Sequence, residues 1–399
     1  MKVVIAALTA PTNLNGVSRH AANLVRGLLA QPDAPEIHFL AGEWQQRMFG
    51  AAIARADSRL HVHWIPLRHN NFSRIRWYYD DLPAVVAQLY ADVVHMTCPA
   101  PLRARAFGCP GVVSLHDLYP FDIPGNFGSI RSRFTRMLMR DCLMRIDAIA
   151  CVSAYTQTRL AAWLPPQVCQ KALTIPNAVE PLLAGAQRPP DALRGGEPFV
   201  LCIAQHRQNK NVPLAIQAFA SALNSKALPW NARLLVLGIS GPDTPRILAE
   251  IDRLHLDRRV ILLNGITDPE LRWCYRNSLF LFAPSSIEGF GLPIAEALIA
   301  GCPVVCSDIP AFREVGGARC RYVAVNREAI DGYIAAFRDV LLLPRPAGAS
   351  MPEFAPSTIG SRYLELYRRL IGLPTMPQHG ILRHPISIER KAEAPVSPV

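Results

Sequence analysis

The chain has 399 residues, half of them hydrophobic, with 42 Lys or Arg against 31 Asp or Glu and a formal charge of +11. Only five of the cations are Lys, and the charged fraction of 18% is below the ~25% of an ordinary domain, so the positive sign reflects scarce acids as much as abundant bases. This composition excludes disordered and fibrous classes, and the length favours two domains with their own cores. The arginines are dispersed and accompany no recognised binding module, which argues against nucleic acid as a partner. Ten cysteines sit in apolar runs without a CxxC pair, among them Cys151, Cys202, Cys302 and Cys306. They read as small buried hydrophobes in a reducing compartment.

The opening run MKVVIAAL reads as a buried strand, because Pro11, Asn13 and Asn15 stand where a signal peptide would carry a small-residue cleavage site. No stretch reaches ~18 uninterrupted apolar residues, so no membrane span is expected and a cytoplasmic location is. Short β-branched runs predict strands at Val3–Leu8, His61–Ile65, Asp92–His95, Val112–Leu115 and Ala148–Val152, then at Phe199–Ala204, Arg233–Leu237, Val260–Leu263, Leu279–Ala283 and Pro303–Ser307. Segments of helical periodicity separate them, which is the sign of an α/β fold with parallel sheets covered on both faces. Residues 176–198 are rich in Pro, Gly and Ala and lack a sustained period. The expected division is a first Rossmann-like domain over 1–178, a linker over 179–197 and a second Rossmann-like domain over 198–350. A helix over Ser357–Ile371, with Ser357 as candidate N-cap, lies in a 351–372 segment expected to pack back on the first domain, and 373–399 reads as a flexible tail. Two doubly wound sheets place a cleft between their strand C-terminal ends, the usual ligand position.

The most informative stretch is LFLFAPSSIEGFGLPIAEALIAGCPVVCSDIP, residues 279–310. A strand ends at Pro284, a loop carries Glu288-Gly289-Phe290-Gly291, Pro293 suits the first helical position, Glu296 the first turn and Gly301 the C-terminal stop. A strand, a glycine loop and a helix N-terminus present unpaired N–H groups and a positive dipole end to a phosphate, and glycine lets the backbone approach closely. Glu288 and Glu296 are carboxylate acceptors suited to sugar or ribose hydroxyls. Singly, Glu296 reads equally as a dipole-favoured acid and the glycines as a tight turn; the fixed order E-G-F-G-L-P-x-x-E favours a binding site.

This stretch resembles the donor-site signature of family 4 glycosyltransferases, retaining enzymes of the GT-B fold. The resemblance runs through most of residues 1–372: VSLHDLYP, VSAYTQTRL, IPNAVE, ITDPELRWCYRNSLFLFAPSS and SDIPAFREVGG follow in the family's order. It implies that Glu288 lies beside the transferred sugar's hydroxyls, that Glu296 binds the ribose, that backbone N–H groups of Gly289, Phe290, Gly291 and Leu292 hold sugar and diphosphate, and that Ile266 packs the base. Lys210 in QHRQNKN matches the family lysine at the departing diphosphate. Gln205 stands where many members have an arginine, and Arg207 is the candidate substitute. Taken alone, His116 at the end of VVSL is an ordinary structural histidine; at a strand end facing the cleft, and by the resemblance, it contacts the reacting sugar and orients it. Gly16 in ALTAPTNLNGVSRH matches the family's glycine loop, with Asn15 in place of a second glycine and Ala178 replacing a frequent glycine in IPNAVE.

The implied activity moves a hexose, with retention, from a nucleotide-diphosphate sugar to a saccharide or lipid-linked saccharide acceptor in envelope polysaccharide synthesis. Mannose from GDP-mannose is preferred by family frequency. No Asp-x-Asp motif stands at a strand end, so neither an essential metal nor a further cofactor is expected. The alternatives are a GT-B nucleotide-sugar epimerase, against which the full E-x7-E motif with Lys210 argues, and a basic nucleic-acid-binding protein. Residues 129–146 interleave Arg131, Arg133, Arg136, Arg140 and Arg145 with Phe134, Met137, Leu138 and Leu143. Such a helix either packs on the core with a solvated basic face or lies peripherally on an anionic membrane at the inner face of the cell.

Overall fold

The computed structural model describes residues 1–12, 15–53, 57–103, 107–126, 129–180, 185 and 187–374. The described residues form two all-parallel sheets. The first holds β1 (Lys2–Ala6), β2 (Glu36–Gly42), β3 (Leu60–Ile65), β4 (Val93–Met96), β5 (Gly111–Leu115), β6 (Ala148–Cys151) and β7 (Ala172–Thr174), ordered β3-β2-β1-β4-β5-β6-β7. The second holds β8 (Phe199–Ile203), β9 (Arg233–Leu237), β10 (Val260–Leu263), β11 (Leu281–Ala283), β12 (Val304–Ser307) and β13 (Arg321–Val323), ordered β10-β9-β8-β11-β12-β13. In each sheet the winding reverses beside the first strand, between β1 and β4 and between β8 and β11. Loops leaving neighbouring strands there part to opposite faces, and a ligand crevice opens between them.

Every predicted strand is present, within two residues at either end, and three more were not predicted. In β2 the polar Glu36 and His38 alternate with apolar residues, so it lacks the continuous apolar run of a strand buried on both faces. Strands β7 and β13 are three-residue pieces at the sheet edges, too short to show a pattern.

The helices that matter to the site are α1 (Gly16–Leu29), α2 (Ser129–Arg145), α3 (Ala154–Leu160), α4 (Val212–Asn224), α5 (Asp268–Asn277), α6 (Leu292–Ile299) and α7 (Pro356–Leu370). Asn15 caps α1: its Oδ1 accepts from the Ser18 amide at 2.9 Å while Ser18 Oγ accepts from the Asn15 amide at 2.8 Å, a reciprocal closure of two orphan donors. Two cap expectations are corrected. Pro356 opens α7, where its missing N–H is one that lacks an intrahelical partner in any case, and Ala355 rather than Ser357 occupies the cap, with no side-chain bond because alanine carries no acceptor. Helix α6 starts at Leu292, so Pro293 is its second residue and Glu296 lies in the second turn. Gly301 stops that helix as expected, with φ +69°.

Helix α7 follows the second sheet in sequence but packs on the first. Ile359, Tyr363 and Tyr367 bury against the α1 face with Val3, Ile5 and Phe39. Gly27 and Gly360 let the two helices touch: a Cβ on Gly360 would lie 2.0 Å from the Gly27 carbonyl oxygen. Residues 181–184 and 186 of the linker, and 375–399 of the expected tail, lie outside the described residues.

Overpacking a tight core contact costs about 1–3 kcal/mol. Gly360→Ala should fall at the upper end of that range, read as a lowered denaturation midpoint with unchanged secondary structure, because the added methyl meets backbone that cannot rotate away. An unchanged midpoint would contradict the helix contact.

Candidate active site

Three loops at strand C-terminal ends build the site. The first follows β8. Arg207 precedes a short turn, Gln208–Lys210, and Asn211 then takes a left-handed φ of +53° that redirects the chain into α4. Lys210 ends that turn just beyond the C-terminal end of β8, and its Nζ donates to Glu288 Oε1 at 2.5 Å. The second loop, 284–291, follows β11 and delivers Glu288, which is 7% exposed. Its other oxygen, Oε2, accepts from Tyr119 Oη at 2.9 Å across the cleft. The third follows β5 and carries His116, Asp117 and Tyr119.

Gly289 packs directly against this third loop. A Cβ on it would lie 1.7 Å from the His116 carbonyl oxygen, so no other residue fits. Its own carbonyl accepts from Ser153 Oγ at 2.5 Å and Thr156 Oγ1 at 3.1 Å, both of the first domain. Gly291 takes φ +112° as the N-cap of α6, a conformation reserved in practice for glycine. Among the described residues no acceptor meets the backbone N–H groups of Gly289, Phe290, Gly291 or Leu292. Four donors at a helix start constitute an anion-binding surface. The Phe290 side chain is not part of it: the ring is buried in the second core, edge-on to Phe354 at 5.4 Å, so this residue can serve the cleft through its backbone alone.

His116 Nε2 donates to the Thr97 carbonyl at 2.9 Å, which leaves the lone pair on Nδ1. Burial lowers its pKa to about 4, so the ring is neutral at physiological pH and keeps an acceptor lone pair on Nδ1. Behind it stands a buried chain of polar groups. His20 packs edge-on to His116 at 4.8 Å; His20 and His95 each reach Ser114 Oγ at 2.8 Å; His95 Nδ1 reaches Tyr367 Oη at 2.5 Å. Burial lowers His95 to about 3 and His20 well below the ordinary range, so these rings are neutral as well.

Asp117 is a perturbed acid beside these groups. Burial raises it to about 6, with the nearby Glu288 adding to the shift and Arg207 and Lys210 opposing it. The charges of Arg207 and Lys210 thus both act on the Asp117 carboxyl.

A second cluster lies towards the α5 side. Glu296 Oε2 accepts from Tyr275 Oη at 2.7 Å, and burial raises the carboxyl's pKa while the Arg19 charge opposes the rise. Arg19 of α1 reaches across the cleft to Asp268 Oδ1 at 3.1 Å. Burial disfavours its charge, but the facing carboxylates of Glu296 and Asp268 hold its pKa above the ordinary value. Ile266 precedes these residues and rests half-buried on the second core. Gly16 faces α6, where a Cβ would sit 3.7 Å from Leu292 Cδ1. The predicted residues therefore fall into two groups along one cleft: His116, Arg207, Lys210, Glu288 and Gly289 in one, Gly16, Ile266, Leu292 and Glu296 in the other.

A model described as "Glycosyltransferase Family 4" matches residues 14–181, and one described as "Glycosyl transferases group 1" matches residues 185–351. The chain belongs to glycosyltransferase family 4. It is 23% identical over 334 residues to O-antigen chain mannosyltransferase B of Escherichia coli, covering 79% of this chain and 85% of the relative. It is 24% identical over 235 residues to O-antigen chain mannosyltransferase RfbU of Salmonella typhimurium, covering 58% of this chain and 61% of the relative. The solved structure of sucrose-phosphate synthase from Thermosynechococcus elongatus superposes with a TM-score of 0.69 at 16% identity, over 93% of this chain and 99% of that one, which bears on the GT-B fold.

Several residues of this glycosyltransferase's cleft went unmentioned or unassigned in sequence. Asp117 and Tyr119 lie within the family-like VSLHDLYP, Ser153 and Thr156 within VSAYTQTRL, and Glu314 within SDIPAFREVGG. Glu314 accepts from the amides of Ala154 and Tyr155 at 2.8 and 3.3 Å, binding the start of α3 to the second domain. Arg19 carried a weaker signal, its place three residues after Gly16 at the head of a helix.

An acid with a raised folded-state pKa opposes folding once ionised. For Asp117 the cost builds between the ordinary aspartate value of ~4 and about 6, and is complete above that pH. Asp117→Asn should therefore stabilise the protein, by roughly 1 kcal/mol more at pH 8 than at pH 5. Denaturant unfolding at the two pH values measures this, and an equal gain at both would place the Asp117 titration outside that window.

Proposed function

We propose that this enzyme transfers mannose, with retention, from a nucleotide-diphosphate sugar, GDP-mannose in the first instance, to a saccharide or lipid-linked saccharide acceptor in envelope polysaccharide synthesis. The Lys210–Glu288 contact at the mouth of the glycine loop carries the reading, because it holds a cation for a leaving group beside a carboxylate for a sugar. A nucleoside diphosphate departs with about two negative charges, and fixed charges aimed at that position lower the barrier by several kcal/mol. Lys210, Arg207 and the four amides from Gly289 to Leu292 supply that complement, so we infer no need for a metal and expect activity to persist in EDTA. Glu288 would accept a hydroxyl of the sugar, neutral His116 Nδ1 another, and Glu296 the ribose hydroxyls, with Ile266 under the base. Both carboxylates nearest the sugar, Glu288 and Asp117, already serve as acceptors, and neither is assigned as a nucleophile; retention then proceeds by attack on the face the diphosphate leaves. The mannose assignment is supported by the O-antigen chain mannosyltransferases among the relatives.

Helix α2 bears on acceptor delivery. Phe134 and Met137 are 47% and 58% exposed among Arg133, Arg136 and Arg140. No helix of the described residues is long and apolar enough to cross a membrane, and this face would hold the enzyme peripherally against an anionic one that presents a lipid-linked acceptor. Sedimentation with anionic vesicles at low salt should carry the protein down, and Arg133→Glu/Arg140→Glu should release it.

Lys210→Ala should cut kcat on the order of 10²–10³-fold while leaving the denaturation midpoint close to that of the wild type. A thermal-shift series with UDP, GDP, ADP and dTDP should show one nucleotide standing out, since a ligand of the folded state stabilises by mass action. Unchanged turnover in the variant, or a flat response to all four nucleotides, would remove the basis of the proposal. Incubation with donor alone should yield no epimerised nucleotide sugar.

A further inference from the structure

At the far side of the first sheet from the cleft lies a group of side chains that glycosyl transfer does not use. Strands β2 and β3 run parallel with His38 opposite His61. Side chains alternate faces along a strand, so Glu36 and His38 of β2 and His61 and His63 of β3 all project from one face, on an edge strand and its neighbour. The three imidazoles form a stack: His38 lies 4.8 Å from His61 and 5.2 Å from His63, each at 23°. His38 Nδ1 meets His63 Nε2 at 2.9 Å and His38 Nε2 meets Glu36 Oε1 at 2.9 Å, while His61 Nε2 lies 3.7 Å from the same oxygen. One ligand atom from each of Glu36, His38 and His61 falls within 4.8 Å of the others.

We propose that Glu36, His38 and His61 bind a divalent first-row transition metal, with zinc, nickel and copper the ions that suit imidazole. Zinc bonds of ~2.0–2.2 Å to nitrogen and carboxylate oxygen require donor atoms about 3–3.5 Å apart in a tetrahedron. The Glu36–His38 separation of 2.9 Å lies just below that range and the Glu36–His61 separation of 3.7 Å just above it, and His61, exposed at the edge, can rotate to adjust its own distance and close the third. His63 takes the supporting position. As the side chains stand, His38 Nε2–H donates to Glu36 Oε1 and its Nδ1 meets His63 Nε2; on metal binding His63 Nε2 would accept the Nδ1–H of His38 and leave the Nε2 lone pair of His38 to the metal, the outer-shell arrangement typical of metal-ligating histidines. Lys2 Nζ, 3.5 Å from Glu36 Oε1, is the competing cation. Three protein ligands on an exposed edge leave one position to water. The metal would brace the β2–β3 edge, remote from the transfer reaction.

The test is titration of the full-length, tag-free protein with ZnCl₂ by calorimetry, and with CoCl₂ by absorption. One equivalent should bind, with a Co²⁺ spectrum lacking the thiolate charge-transfer band that cysteine ligation would give. Glu36→Gln and His61→Ala should each weaken binding at least tenfold, His63→Ala by a smaller factor, and Lys2→Met should tighten it. His61 is exposed, so its variant should retain the wild-type melting temperature in EDTA and the wild-type transferase activity. Absence of a stoichiometric site, binding unaffected by Glu36→Gln and His61→Ala, or a spectrum dominated by thiolate would each overturn the proposal and leave a hydrogen-bonded chain from Glu36 through His38 to His63.

Discussion

Gly289 lies against the carbonyl of His116 at a distance that admits a hydrogen and nothing larger, and this one contact sets how closely the two sheets face each other. From it follow the reach of Tyr119 to Glu288, of Ser153 and Thr156 to the Gly289 carbonyl, and of Glu314 to the start of α3. Each of these bonds joins a group of one half to a group of the other. None could form if a methyl held the backbones apart. The glycine loop thus has two duties in the same four residues, bringing the halves together and keeping its amides clear for an anion.

Charge in the cleft is arranged by that closure. Lys210 and Glu288 neutralise one another within the second half, while Asp117 is buried against both by the first. Arg19 does the same at the other end, entering between Glu296 and Asp268 from α1. Lys210 faces Asp117 and Arg19 faces Asp268 across the cleft, so these two approaches hold only with the halves together, whereas the Lys210–Glu288 pair lies within one half. An anionic donor entering the cleft would compete with these carboxylates for Lys210 and Arg19, exchanging contacts between halves for contacts with substrate.

Sequence made one side of this site legible and left the other obscure. Glu288, Gly289, Gly291, Glu296 and Lys210 are close to strand ends and helix starts whose local chemistry is visible in a few residues: a glycine with positive φ, a proline near a helix start, a lysine just ahead of a helix. Tyr119, Tyr275, Ser153, Thr156 and Arg19 carry no such local mark. They matter because the fold brings a distant loop opposite them, and aromatic or hydroxyl side chains are common enough that position alone gives no warning. The fold shows the same division. Continuous apolar strands stood out, whereas β2 did not, because the polar Glu36 and His38 interrupt its apolar run. Phe290 marks the opposite failure, a residue in the motif whose ring is core.

The return of α7 to the first sheet has a consequence for how the polypeptide can be divided. The covering of α1, and the hydroxyls of Tyr363 and Tyr367 that complete the histidine chain behind His116, come from the last described helix. A fragment ending at residue 180 would expose the apolar flank of α1 and leave His95 without its phenol. The order of folding on a ribosome is affected too, since the amino-terminal sheet must wait for the carboxyl end of the chain before its last layer is in place. Gene fusions or permutations that respect the linker would still cut through a core.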